Sequence, residues 1–140
     1  MALKVSELTV GDVHEEEVVR NLSRTQIVQY AGASGDYNPL HTDEIFTTQL
    51  AGYPSVFAHG MLSMGATGKM LTNWLGDGRL TKYGVRFTAQ VWPGDTLVAK
   101  ATITGLREEN GQQLMDLEVS TTNEAGLEVI KGTATARIDP

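Results

Sequence analysis

A chain of 140 residues, 41% apolar and 20% charged, has the make-up of one ordinary globular domain that buries roughly two thirds of its unfolded surface. Seventeen acidic side chains against eleven basic ones leave a formal net charge of −6, which argues against nucleic acid as the main partner, because phosphate contacts need clustered Lys and Arg. The absence of cysteine excludes disulfides, thiolate metal sites and cysteine nucleophiles, and fits a reducing compartment.

The N-terminal stretch "MALKVSELTVGDVHEEEVV" meets charged residues too early to hold the apolar centre of a signal peptide. No apolar run approaches the ~20 residues that span a bilayer. A single cytoplasmic domain over residues 1–140, without a membrane or nucleic-acid partner, is therefore expected. "VHEEEVVR" at 13–20 reads as a short, weakly patterned edge strand. Ser23 followed three residues later by Gln26 is a capping box, and Ile27, Tyr30 and Ala31 fall on one face, so a helix is predicted here, ended by Gly32 or Gly35. A short helix is expected near 43–50, with Phe46 and Leu50 one turn apart.

The longest helix is predicted to begin just after Gly60, with Met61, Met64, Gly65, Gly68, Leu71 and Leu75 along its buried stripe. Each glycine in it costs about 1 kcal/mol against alanine, which points to something packed close to the helix backbone. From residue 80 the period switches to two. Tyr83, Val85, Phe87, Ala89 and Val91 face one way, and Lys82, Arg86 and Gln90 the other. After the turn Pro93-Gly94-Asp95 come Leu97, Ala99, Ala101 and Ile103, then the hairpin signal Asn110-Gly111, then Met115, Leu117 and Val119. The turn at 123–126 leads to Ile130, Ala134, Ala136 and Ile138. Four consecutive strands joined by tight turns read as an antiparallel meander. The expectation is an α+β, hot-dog-type architecture: a curled antiparallel sheet around one small-residue-rich helix.

The chemistry concentrates in "GASGDYNPLHTDE", residues 32–44. Pro39 fixes its own φ and pushes Asn38 towards extended geometry, so the preceding helix cannot continue. A stiff turn can bring Asp36 and His41 to one small volume, where an ionised carboxylate and an imidazole with an ordinary pKa of ~6.5 would hold and deprotonate a water. The plainer reading is a helix-ending turn in which Asp36 and Asn38 bond local backbone. Downstream, His59-Gly60 precedes the long helix, whose first amides are unpaired and whose dipole favours negative charge. Gly60 suits an oxyanion site or simply a tight entry into a buried helix, and His59 reads as a packing residue rather than a catalyst. Asp36, His41, Asp43 and His59 are metal-competent by type, but no ligand-spacing motif appears, and neither metal nor cofactor is expected.

"YAGASGDYNPLH" followed by "AHGML" resembles the MaoC-like (R)-specific enoyl-thioester hydratases, or hydratase 2, and "VRFTAQVWPGDTL" is similar to their strand and turn after the central helix. The likeness is clear over roughly residues 20–105. It implies the hot-dog fold and the hydration of trans-2-enoyl thioesters on CoA or ACP, with the reverse dehydration of (3R)-3-hydroxyacyl thioesters. It also implies a homodimer or a heterodimer with a related subunit. By position, Asp36 and His41 match the catalytic pair, Asn38 the residue that orients the site, and Gly60 the amide that binds the thioester oxygen. Thr47 departs from the family's Ala or Ser six residues after the histidine, which would narrow the acyl pocket.

Two other functions remain open on the sequence: a non-catalytic or partly catalytic hot-dog subunit of a heterodimeric dehydratase, and a hot-dog acyl thioesterase. A serine hydrolase built on Ser55 or Ser63 lacks the G-x-S-x-G elbow. No binding role is assigned to Lys69, Arg79, Lys82 or Arg86.

Overall fold

The computed structural model describes residues 2–140. Strand β1 spans Val13–Val19, helix α1 Arg24–Ser34, helix α2 Gly60–Leu75, and strands β2 to β5 span Leu80–Phe87, Leu97–Glu109, Gln112–Thr122 and Glu128–Ile138. A single π-helical turn, Phe46–Leu50, lies between the two helices.

Helix α1 starts where its sequence says. The Ser23 hydroxyl accepts from the Gln26 amide at 3.0 Å while the Gln26 side chain accepts from the Ser23 amide at 2.9 Å, so two otherwise orphaned N–H groups are satisfied. It ends at Gly35, whose φ of 76° is the left-handed conformation glycine adopts without strain, while Gly32 stays inside the helix.

The sheet has the order β1-β3-β4-β5-β2, all neighbours antiparallel. This corrects the four-strand meander. Strands β3, β4 and β5 do follow one another, but β2 pairs with β5 at the far edge and β3 pairs with β1. The reason lies in residues 88–96, which form no hairpin. Thr88 still donates to Val129 of β5 at 2.9 Å, but beyond it the chain leaves the sheet, and Val91 accepts a backbone bond from Ala58 at 2.8 Å, tying the stretch to the entrance of α2 instead. The Asn110-Gly111 turn has φ of 52° and 77°, as a primed hairpin turn requires.

Helix α2 lies in the curl of the sheet. Leu71 and Leu75 pack with Ala99, Ala101, Ile103, Met115, Leu117 and Ala136 in one cluster, the alternate residues of β3, β4 and β5 that the period of two marked as inward. The buried face of α2 is Ser63, Thr67, Met70, Leu71 and Leu75, rotated from the stripe drawn on the sequence, and Met61 is 54% exposed. Two polar residues win this face because they have somewhere to go or something to do. The Thr67 hydroxyl meets that of Thr121 at 2.7 Å in the core. The close approach expected of the small residues is real at Gly68, where a Cβ would sit 3.2 Å from the Tyr83 ring, but not at Gly65, where a Cβ would meet nothing within 4 Å. Tyr83 in turn donates its hydroxyl to the Met64 carbonyl at 2.8 Å, and burial pushes its pKa up to about 12.

Candidate active site

The turn after α1 is built from its own side chains. The Asn38 amide donates to the Asp36 carboxylate at 3.2 Å, and the Leu40 amide donates to the Asn38 side-chain oxygen at 3.0 Å. These are the short-range Asx bonds that Asp and Asn form in turns. Asn38 thus shapes the turn, and its side-chain oxygen is occupied by local backbone. Below the turn, the buried Thr47 hydroxyl donates to the Asp43 and Pro39 carbonyls at 2.7 and 3.1 Å. Thr47 therefore locks the turn from underneath and is not among the residues that line the nearby cavity, which corrects the expectation that it narrows an acyl pocket.

His41 projects inwards from this turn and is nearly buried. Its Nδ1 lies 2.6 Å from the Phe57 carbonyl, so Nδ1 carries the proton and Nε2 keeps a free lone pair. Burial holds the His41 pKa below 6.5. The Phe57 carbonyl and Asp36 act to raise it, and His59 acts to lower it. The imidazole is accordingly neutral near pH 7.

His59 is the residue whose part the sequence undersold. Its ring stacks on that of His41, with centroids 3.8 Å apart and an interplanar angle of 23°, and its Nε2 donates to the Asp36 backbone carbonyl at 3.0 Å. One histidine thus fixes both the second imidazole and the position of the aspartate. An Asp36 carboxylate oxygen and a ring nitrogen from each histidine lie within 4.8 Å of one another. By donor type this trio is metal-competent. Each ring already commits one nitrogen to a backbone carbonyl, His41 Nδ1 to Phe57 and His59 Nε2 to Asp36, which leaves one free nitrogen on each.

Gly60 follows directly, as the first residue of α2, where the amide has no intrahelical acceptor. Its side is occupied. A Cβ here would stand 2.7 Å from the Phe87 ring, so the glycine is required by the aromatic packed on it. Phe57, His59, Gly60, Ser63, Phe87 and Ile130 line part of a cavity of about 290 Å³. Asp36 and His41 lie outside its lining and meet it through Phe57 and His59, which touch His41 directly.

The profile of the MaoC like domain matches residues 5–125. The chain belongs to the MaoC-like family. An (R)-specific enoyl-CoA hydratase of Rhodospirillum rubrum is 34% identical over 123 residues, 86% of this MaoC-like chain and 83% of that protein. The 3-hydroxyacyl-thioester dehydratase Y of Mycobacterium tuberculosis is 40% identical over 100 residues, 69% of this chain but 33% of its own length. The MaoC-like chain thus spans about a third of that longer relative. Among solved structures, the unliganded R-hydratase of Pseudomonas aeruginosa superposes with a TM-score of 0.84 at 25% identity, covering 99% of this chain and 86% of the other. The α+β hot-dog architecture read from the sequence holds for this MaoC-like domain.

Proposed function

We propose that this MaoC-like domain, residues 1–140, is a hydro-lyase that adds water to trans-2-enoyl thioesters carried on CoA or ACP and removes it from (3R)-3-hydroxyacyl thioesters. The observation that carries the reading is the pairing of two acceptors. Neutral His41 offers a lone pair at Nε2, and an Asp36 carboxylate oxygen lies within 4.8 Å of a ring nitrogen of the same histidine. A water donating to both would bridge acceptors about 4.6 Å apart, from two hydrogen bonds of about 2.8 Å opening at a water's angle, a span of the same size as the limit on this trio.

Such a water has both protons held and its lone pairs free. As it attacks C3 of the enoyl group, one proton passes to the Asp36/His41 pair, and a proton returns to C2 from the same pair. The electrons displaced from the double bond collect on the thioester oxygen, where the Gly60 amide and the positive end of the α2 dipole stabilise them. Loss of one such donor costs about 3 kcal/mol of transition-state stabilisation. The reverse sequence dehydrates the hydroxyacyl thioester.

The working unit is read as a dimer. Two sheet edges are open in the single chain. Edge β1 carries Glu15, Glu16 and Glu17 in a row, charges that discourage pairing, whereas β2 ends in Phe87, 51% exposed. Pairing through β2 would cover Phe87 and wall the cavity beside Gly60. Hydration of crotonyl-CoA, followed by loss of enoyl absorbance, tests the assignment. Asp36→Asn and His41→Ala are each expected to lower turnover at least about a hundredfold. Unchanged turnover in either removes that residue from the mechanism. No hydration by the purified chain alone would favour a scaffold subunit, and release of free CoA a thioesterase.

A further inference from the structure

On that reading of the site, we infer that Ser63 is a second hydrogen-bond donor to the thioester oxygen, working beside the Gly60 amide. Ser63 is 1% exposed, and its hydroxyl has no hydrogen-bond partner among the described residues. A buried hydroxyl without a partner is costly and rare, so its retention asks for a ligand.

The usual escape for a helical serine is to donate to the carbonyl four residues back. Neighbouring hydroxyls do take such local partners: Thr48 donates to Glu44 and Thr72 to Lys69, while Thr67 is satisfied by Thr121 across the core. Ser63 does none of these. The carbonyl four residues back, on His59, accepts from the Leu62 amide at 3.1 Å and takes no bond from the Ser63 hydroxyl.

The position of Ser63 explains what it is held for. It lies one turn beyond Gly60 on α2, and helical side chains lean back towards the N-terminus, so its hydroxyl is carried towards the Gly60 amide. Both residues line the same cavity of about 290 Å³. An oxygen accepting from the Gly60 N–H is thus placed to accept from the Ser63 O–H as well. A carbonyl oxygen has two lone pairs and can take both donors, and as enolate charge develops on it both bonds strengthen. The absence of a protein acceptor for the Ser63 proton leaves it free for this oxygen without breaking an existing bond.

Ser63→Ala and Ser63→Cys separate this role from a structural one. In Ser63→Ala the thermal midpoint is expected to stay level or rise, because an unsatisfied buried hydroxyl is removed, while kcat on crotonyl-CoA falls about a hundredfold with little change in KM. Ser63→Cys keeps the volume with a weak donor and should behave similarly. The direct readout is the infrared carbonyl stretch of bound butyryl-CoA labelled with ¹³C at C1. It should move to higher wavenumber in Ser63→Ala than in wild type, as one hydrogen bond is lost. Wild-type kcat together with an unshifted carbonyl band in Ser63→Ala would overturn the inference and leave the hydratase reading standing. Parallel loss of stability and rate would overturn it in favour of packing. A wild-type chain that hydrates no enoyl thioester would remove both.

Discussion

Replacing Gly60 by alanine tests how the oxyanion side of the site is constructed. The added Cβ would lie 2.7 Å from Cδ2 and 2.9 Å from both Cγ and Cε2 of Phe87, where ordinary contact begins at 3.4 Å. The overlap reaches the root of the ring, so rotation of a flexible tip cannot relieve it, and either Phe87 or the first turn of α2 must move by about 0.7 Å. Overpacking of this kind costs about 1–3 kcal/mol. Alanine recovers up to about 1 kcal/mol of helix propensity, leaving a net loss of up to about 2 kcal/mol. For a chain of this length that lowers Tm by up to roughly 6 °C. The alanine keeps its N–H, so hydration falls because the amide is displaced. The control is Phe87→Ala. In that background the same substitution should cost nothing, since the ring is gone, and the double-mutant cycle should return an interaction of at least about 1 kcal/mol. An equal change in Tm with and without Phe87, a cycle that closes to zero, would refute the steric account of this glycine.

The acid limb of kcat/KM should fall with a midpoint below 6.5, because burial of the ring depresses the His41 pKa and the base must be neutral to accept a proton; a midpoint above 6.5 would contradict it. Stability follows the same sign. Between the folded value and 6.5 the unfolded chain binds more protons, so the contribution of the neutral ring is present above 6.5 and is lost as pH falls through the folded value, which denaturant titrations between about pH 5 and 8 will show. In the core, Thr67→Val strands the Thr121 hydroxyl and should cost about 1–3 kcal/mol, whereas Thr67→Val with Thr121→Val should be nearly neutral. Equal losses in the single and double variants, measured by urea denaturation, would show that the bond between them is not what matters.

Local features were legible in the sequence and distant pairings were not. The capping box of α1, the Asn110-Gly111 turn and the inward residues of β3 to β5 are set by neighbours a few positions away, and each stands where the sequence placed it. The partner of β2 is decided by the path of residues 88–96, which no local periodicity reports. The buried face of α2 departs from its apolar stripe because that stripe assigns Thr67 to solvent, whereas Thr121, far along the chain, satisfies its hydroxyl in the core. At the site, Asp36 and His41 were readable from a rigid turn. The support from His59, eighteen positions beyond His41 in sequence and stacked on its ring, is a tertiary contact. Ser63 carried no sequence signal for a ligand, since only the missing partner for its hydroxyl sets it apart from any helical serine.

The segment that bears Asp36 and His41 contributes nothing to the lining of the adjoining chamber, which is furnished by the entrance of α2, the end of β2 with the stretch after it, and the start of β5. Proton handling and fit therefore sit on separate pieces of chain, and only the Gly60–Ser63 turn of the chamber wall serves both the reaction and the fit. Substitutions at positions such as Ala89, Val129 or Ile130 can reshape what the chamber admits while the proton-handling turn stays untouched. A lineage built this way can change diet by drift, keeping its chemistry intact at every step.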